Sequence, residues 1–270
     1  MKYPGTLGLF LAFLWGFSWS GENTLKLATT TSTYETGLLG VIFAPFEKKQ
    51  KLQMHILAVG TGRALKLGEN GDVDVILVHA RTAEDKFVAK GHGVNRRDVM
   101  YNDFVVLGPE ADPAGVRAAK KAEEALKKIS AAQSTFVSRG DDSGTHKKEK
   151  SLWKSAGLAP AGKWYLESGQ GMSATLRMAD EKNAYVLADR AMWFFHKERT
   201  RLKLLLQGDR ALLNPYGIIA VSPYKYSHVR YDKAMALISW MTSPECQKMI
   251  EAYRKNGNQL FYPNAARPVK

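Results

Sequence analysis

The stretch Leu25–Gln50, LKLATTTSTYETGLLGVIFAPFEKKQ, changes character twice. Leu25 to Ala28 reads as a short strand. Thr29, Thr30, Thr31, Ser32 and Thr33 then set five hydroxyls in a row. Beyond them Leu38, Leu39, Ile42, Phe43 and Phe46 recur at the spacing of one helix face. Strand, hydroxyl loop and helix form one βα unit. The hydroxyls suit either a solvated loop with a helix cap or a cradle for a ligand rich in acceptor oxygens.

The unit recurs along the chain. LQMHILAVG is a second strand, followed by the turn GTG at Gly60–Gly62 and the helix RALKLGENG. DVDVILVHA is a third strand, alternating Asp72 and Asp74 with Val73 and Val75 before it turns wholly apolar. This repetition predicts a parallel α/β sheet with right-handed crossovers. A new section opens in YNDFVVLGPEADPAG with a strand over Phe104 to Leu107. VRAAKKAEEALKKISAA is a helix, and STFVSRGDDSGTHKKEKSLWKSAG and KWYLESGQGMSATLRMADEKN are each strand, loop and helix. AYVLADRAMWFFH reads as a strand and turn, and NPYGIIAVSP as a strand. Two C-terminal helices break at Ser243-Pro244. Breaks near Asn102–Phe104 and Tyr216–Ile219 predict two lobes, 21–103 with 217–270, and 104–216.

The first twenty residues read as a secretory signal peptide cleaved after Ser20: Lys2, then the apolar GTLGLFLAFLWGF, then small residues at Ser18 and Ser20. The apolar run is short for a membrane span, and no other run is long enough. The expected mature protein is exported, periplasmic or otherwise extracytoplasmic. A lone Cys246 neither supports nor opposes an oxidising compartment. The formal charge is +13, and removing Lys2 with the signal peptide leaves +12. Such a balance favours an anionic partner. The basic residues are interleaved with acids, as in HKKEK and RAAKKAEEALKK, a pattern of solvated helix faces rather than of a nucleic-acid stripe.

Three loops share one grammar, in which a strand ends, glycines and hydroxyls follow, and a helix begins. They are Thr29–Gly37, Gly60–Gly62 and Ser138–His146; Ser168–Thr175 is a weaker fourth. Helix N-termini at the carboxyl ends of strands offer unpaired N–H groups and the positive end of the macrodipole. Of the three, only SRGDDSGTH brings a buried-looking arginine, Arg139; Arg63 reads as a surface residue at a helix start. One guanidinium among neutral donors suits a small, permanently ionised oxyanion. Asp141 or Asp142 offers the acceptor that hydrogen phosphate wants, which keeps phosphate open. Asp142, Ser143 and His146 lie together without a G-x-S-x-G elbow, and a hydrolase using Ser143 and His146 stays as a second alternative. The loop does not fit a nucleotide P-loop, and the six histidines show no metal-type pairing.

Together ATTTST, AVGTGRAL, YNDFVVLGP, SRGDDSGTHKKEKSLWKSAG and GQGMSATLRMADEKNAYVLADR closely resemble the extracytoplasmic tungstate-binding proteins of bacterial ABC importers. The resemblance covers nearly the whole chain beyond the signal peptide. It implies a two-lobed periplasmic binding protein fold, each lobe a mixed, mostly parallel sheet flanked by helices, with two hinge crossings. It implies a monomer that is not an enzyme and carries no cofactor. Its ligand would be tungstate or molybdate, with phosphate and vanadate as alternatives, and its partners an ABC permease with a cytoplasmic ATPase. Residue by residue, it implies that Thr30, Thr31, Ser32, Thr33, Thr61, Arg139, Ser143, Gly144 and Thr145 bind the oxyanion. Two departures stand out: YVLADR lacks hydroxyls expected before Asp189 and Arg190, and RAL follows GTG where lysine or glutamine is more usual.

Overall fold

In chain order the elements are β1 (Thr24–Thr30), the one-turn helix α1 (Thr31–Glu35), α2 (Leu38–Gln50), β2 (Gln53–Val59), α3 (Thr61–Asn70), β3 (Val75–Val78), α4 (Arg81–Ala89) and β4 (Gly93–Gly108). Next come α5 (Ala122–Ala131), β5 (Phe136–Ser138), α6 (Gly144–Ser155), β6 (Tyr165–Glu167), α7 (Met172–Glu181), β7 (Tyr185–Asp189), α8 (Arg190–His196) and β8 (Lys203–Leu206). The chain closes with β9 (Leu213–Val221), α9 (Tyr231–Met241), α10 (Pro244–Ala252), β10 (Arg254–Lys255), β11 (Asn258–Gln259) and β12 (Tyr262–Pro263). This computed structural model describes residues 23–265; the expected signal peptide lies outside the described residues.

The main sheet runs β2-β1-β3-β9-β4-β7-β5-β6. β1 pairs in parallel with β2 and β3, as β5 does with β6 and β7. The two parallel groups are joined by antiparallel β9 and β4. β4 is the long member: Gly93 to Asp103 pair with β9, and Phe104 to Leu107 pair with β7. Helices cover both faces of each half. In the first half Leu38, Ile42, Phe43 and Phe46 of α2 pack with α9 and α10 on one face, and α3 and α4 cover the other. In the second half α5 and α6 lie on one face and α7 and α8 on the other. Among the described residues no helix is long and apolar enough to cross a membrane.

Local readings shift in instructive ways. The hydroxyl stretch is less a loop than a junction: Thr29 and Thr30 end β1, and Thr31 starts α1. Gly37, at φ 84°, separates α1 from α2 in a backbone region that glycine enters at little cost. GTG is the start of α3 rather than a turn, with Gly60 as its N-cap. The segment after YVLAD is a helix, not a turn, because Asp189 caps it through Met192 N.

Candidate functional site

Because β1, β2 and β3 run in parallel, their carboxyl ends lie on one edge, facing the end of β5 in the other half. A small cavity, with room for about 10 Å³ of water, sits there between the halves. The first half contributes Thr30, Thr31 and Ser32 at the end of β1 and the start of α1, Val59, Gly60 and Thr61 at the end of β2 and the start of α3, and His79 after β3. The second half contributes Arg139 after β5 and Ser143, Gly144 and Thr145 at the start of α6. Of the nine residues singled out in the sequence, eight line the cavity. The ninth, Thr33, lies behind it, with its hydroxyl 2.6 Å from that of Thr30.

Three helices start at this cavity, and none has an acidic residue in its first turn. Neutral groups cap them. Thr30 Oγ1 accepts from Thr33 N, Ser143 Oγ accepts from His146 N, and Gly60 caps α3 without a side-chain bond. In α3 the first intrahelical bond runs from Ala64 N to Gly60 O, so the helix itself does not use the earlier N–H groups. No carboxylate lines the cavity. Two buried donors, Arg139 Nε and Thr145 Oγ1, have no hydrogen-bond partner among the described residues. Unsatisfied buried donors are costly, and both belong to residues on the cavity wall.

The halves already touch. Gly144 N donates to Thr61 Oγ1 across the cleft at 3.0 Å. A Cβ at Gly144 would lie 2.8 Å from His79 Cε1 and 3.1 Å from Thr61 Oγ1, so glycine is what lets α6 come this close. Farther out, Ser173 Oγ donates to Glu35 Oε2 at 3.2 Å, a second link between the halves.

Arg139 is 3% exposed, as its loop suggested, but it is not a lone cation: its Nη2 is ion-paired with Asp141 Oδ2. Asp141 Oδ1 also accepts from Ser143 N. Asp142 is turned outward onto Lys147 Nζ at 2.6 Å. Neither aspartate lines the cavity, so the acceptor that phosphate would want is already engaged elsewhere. The geometry speaks against the hydrolase alternative. Ser143 Oγ accepts from His146 N as the cap of α6, His146 Nδ1 accepts from Asp142 N at 3.0 Å, and among the described residues no hydrogen bond joins the imidazole to that hydroxyl. Arg63 is exposed on α3.

His79 is the polar side chain on the wall that sequence reading missed; Val59 and Gly60 also line it. Its Nδ1 lies 2.9 Å from Asn214 Oδ1, and its ring stacks on Tyr216 at 4.7 Å. Burial, with Arg139 adding to it, pushes its pKa down to about 4, so the ring is neutral at neutral pH. Its signal was position, the first residue past the third strand, rather than residue type.

Two α/β halves joined by paired strands, with a donor-lined cavity between them at the carboxyl edge, define a solute-binding protein of the periplasmic binding class. Residues 19–245 match the PBP superfamily domain. A tungstate-binding protein TupA from Peptoclostridium acidaminophilum is 44% identical over 250 residues, covering 91% of this chain and 87% of that one. The crystal structure of the tungstate ABC transporter from Geobacter sulfurreducens is 57% identical, covers 86% of this chain and 99% of its own, and superposes with a TM-score of 0.80. The tungstate-binding protein TupA from Desulfovibrio alaskensis G20 is 45% identical, with coverage of 90% and 99% and a TM-score of 0.79. The chain belongs to the PBP superfamily and, within it, to the family of the TupA tungstate-binding proteins.

Proposed function

We propose that this protein captures tungstate between its lobes outside the cytoplasm and delivers it to an ABC permease driven by a cytoplasmic ATPase. It does so as a monomer. The first lobe comprises residues 21–103 and 217–270 and the second residues 104–216, with β4 and β9 forming the hinge. The oxyanion is bound by Thr30, Thr31, Ser32, Thr61, Arg139, Ser143, Gly144 and Thr145, and Thr33 holds the Thr30 hydroxyl from behind. The observation that carries this reading is a buried cavity lined by donors and by no carboxylate, with two donors left unpartnered. A tetrahedral, unprotonated oxyanion offers acceptors on every corner and no donor, which matches such a wall. Hydrogen phosphate brings a proton that needs an acceptor. The change of partner along β4 at Asp103 and Phe104 supports the lobe boundary.

The test is calorimetry of residues 21–270 against tungstate, molybdate, vanadate, sulfate and phosphate. Tungstate should bind tightest, and phosphate and sulfate only weakly; phosphate binding tighter than tungstate overturns the reading. Because donors come from both lobes, ligand should also make the protein more compact in solution scattering.

A further inference from the structure

Beside the inner cavity, and sharing His79 and Gly144 with it, lies a wider groove of about 620 Å³. Four fixed cations line it: Arg81 and Lys86 from α4 in the first half, and Lys147 and Lys148 from α6 in the second. No aspartate or glutamate lines it. Arg81 is paired with Asp85, and Lys147 with Asp142. Lys86 and Lys148 form no ion pair among the described residues.

Lys148 is the more telling of the two. It is half-buried, its Nζ lies 6.0 Å from the Phe104 ring centroid, and its one hydrogen bond is a long one to Leu213 O at 3.4 Å. Burial pulls its pKa down, opposed by Asp209. Holding an ammonium in a half-apolar wall without a carboxylate is unfavourable. The charge is free to act on whatever occupies the groove. Low-dielectric walls of one sign focus the field and raise the local concentration of the opposite ion.

We propose that this groove is a second, outer oxyanion site, at which Lys148 and Lys86 hold a hydrated tetrahedral dianion before it passes the His79–Gly144 wall into the inner cavity. The proposal deepens the tungstate reading and rests on it. The two sites divide the work by chemistry. The outer one attracts by charge and keeps the anion's water, and the inner one strips that water with fixed donors.

The test is equilibrium dialysis of residues 21–270 with tungstate from micromolar to millimolar at low ionic strength, with tungsten counted by elemental analysis. Wild type should take up two ions per chain, one tight and one weak and salt-sensitive. The double variant Lys86→Met and Lys148→Met should lose the weak ion and keep the tight one. Stopped-flow association to the tight site should slow about tenfold in the double variant at low salt and converge with wild type at high salt. Lys86→Glu, on an exposed position, supplies a charge reversal that leaves the packing against Phe104 untouched and should alone remove most of the weak binding. A single ion per chain in wild type, or a second ion that survives both sets of substitutions, overturns the outer site. A merely structural Lys148, tying α6 to Leu213, would lower the melting temperature of the double variant without slowing association. Absence of any tight ion in wild type would instead overturn the tungstate reading itself.

Discussion

Two helices in the second half start beside the cleft and are capped in opposite ways. At α8, Asp189 accepts from Met192 N with a carboxylate, 3.0 Å away. At α6, Ser143 accepts from His146 N with a hydroxyl, 3.3 Å away. Either cap stabilises a helix by about 1 kcal/mol, so capping alone does not choose between them. What differs is the charge left at the positive end of the helix. The carboxylate cancels the macrodipole locally; the hydroxyl leaves it available to an anion. Only the hydroxyl-capped and glycine-capped starts line the donor cavity. Thus the character of this cavity is made as much by withholding acids from three caps as by supplying donors.

The largest effect should come from erasing that difference. Ser143→Asp keeps a competent cap, so the melting temperature should stay near the wild-type value. A like charge placed in the desolvated site costs several kcal/mol, so tungstate binding should fall by roughly a thousandfold or more. Calorimetry next to a thermal melt separates the two readings. A folded variant that still binds with wild-type affinity would place the anion away from the start of α6.

The second effect concerns the buried groups that flank the cavity. Burial raises the Asp189 carboxyl to about 6 and lowers the His79 imidazole to about 4. For Asp189, stability is fully present below the unfolded value of about 3.8 and is lost as pH rises through about 6. For His79, stability is present above about 6.5 and is lost as pH falls toward about 4. The two slopes oppose each other between about pH 4 and 6, each on the order of 3 kcal/mol across the window. Asp189→Asn, which can still cap α8, should unmask His79 and make stability fall on acidification. His79→Gln should unmask Asp189 and reverse the sign. Denaturant unfolding at pH 4, 5, 6 and 7 reads both slopes; two variants with the wild-type slope would show that neither group titrates as its surroundings suggest.

Much of this was legible in the sequence, for a physical reason. Strand ends and helix starts carry local signals, so the loops that hold Thr30, Thr61 and Ser143 were legible one at a time, and the resemblance picked out the residues within them. What was hidden is non-local. His79 joins the wall through Asn214, 135 positions away, and no spacing rule reports that. The first eleven residues of β4 were also missed: NRRD and YND break the apolar alternation, and pairing with β9, and with β12 at Met100 and Tyr101, holds them extended. The carboxylate on Arg139 was present in SRGDDSGTH, but sequence could not say which aspartate turns inward. Asp142 has φ 55° and points to Lys147, which leaves Asp141 for the guanidinium.

That pairing sets the size of the third effect. Asp141 engages Arg139 Nη2 while Nε has no partner among the described residues. Losing one charge-assisted bond to a desolvated anion costs about 1.5–3 kcal/mol. Arg139→Ala should therefore weaken tungstate binding by at least about tenfold. It also strands Asp141 beside the site, which adds to the loss. Arg139→Lys should recover only part, since an ammonium lacks the planar fork that serves Asp141 and the ligand together. If Lys restores full affinity in calorimetry, the guanidinium geometry is irrelevant and only its charge matters.

The smallest effect should be at the other arginine, two residues past Thr61. Arg63 carries the same charge and sits in the first turn of α3, where a cation opposes the macrodipole. Yet it is exposed and outside the cavity wall, so water and salt screen it from a bound anion. Surface substitutions of this kind change free energies by within about 0.5 kcal/mol. Arg63→Ala should leave tungstate affinity within about twofold, and helix stability unchanged or slightly improved. The two alanine variants belong in one titration series, with folding checked by circular dichroism. The contrast between them is the sharpest test of burial against charge: a net positive surface would make both arginines matter, whereas a donor-lined cavity makes only Arg139 matter. Equal losses at Arg63 and Arg139 would mean that long-range attraction, not the cavity, holds the ligand.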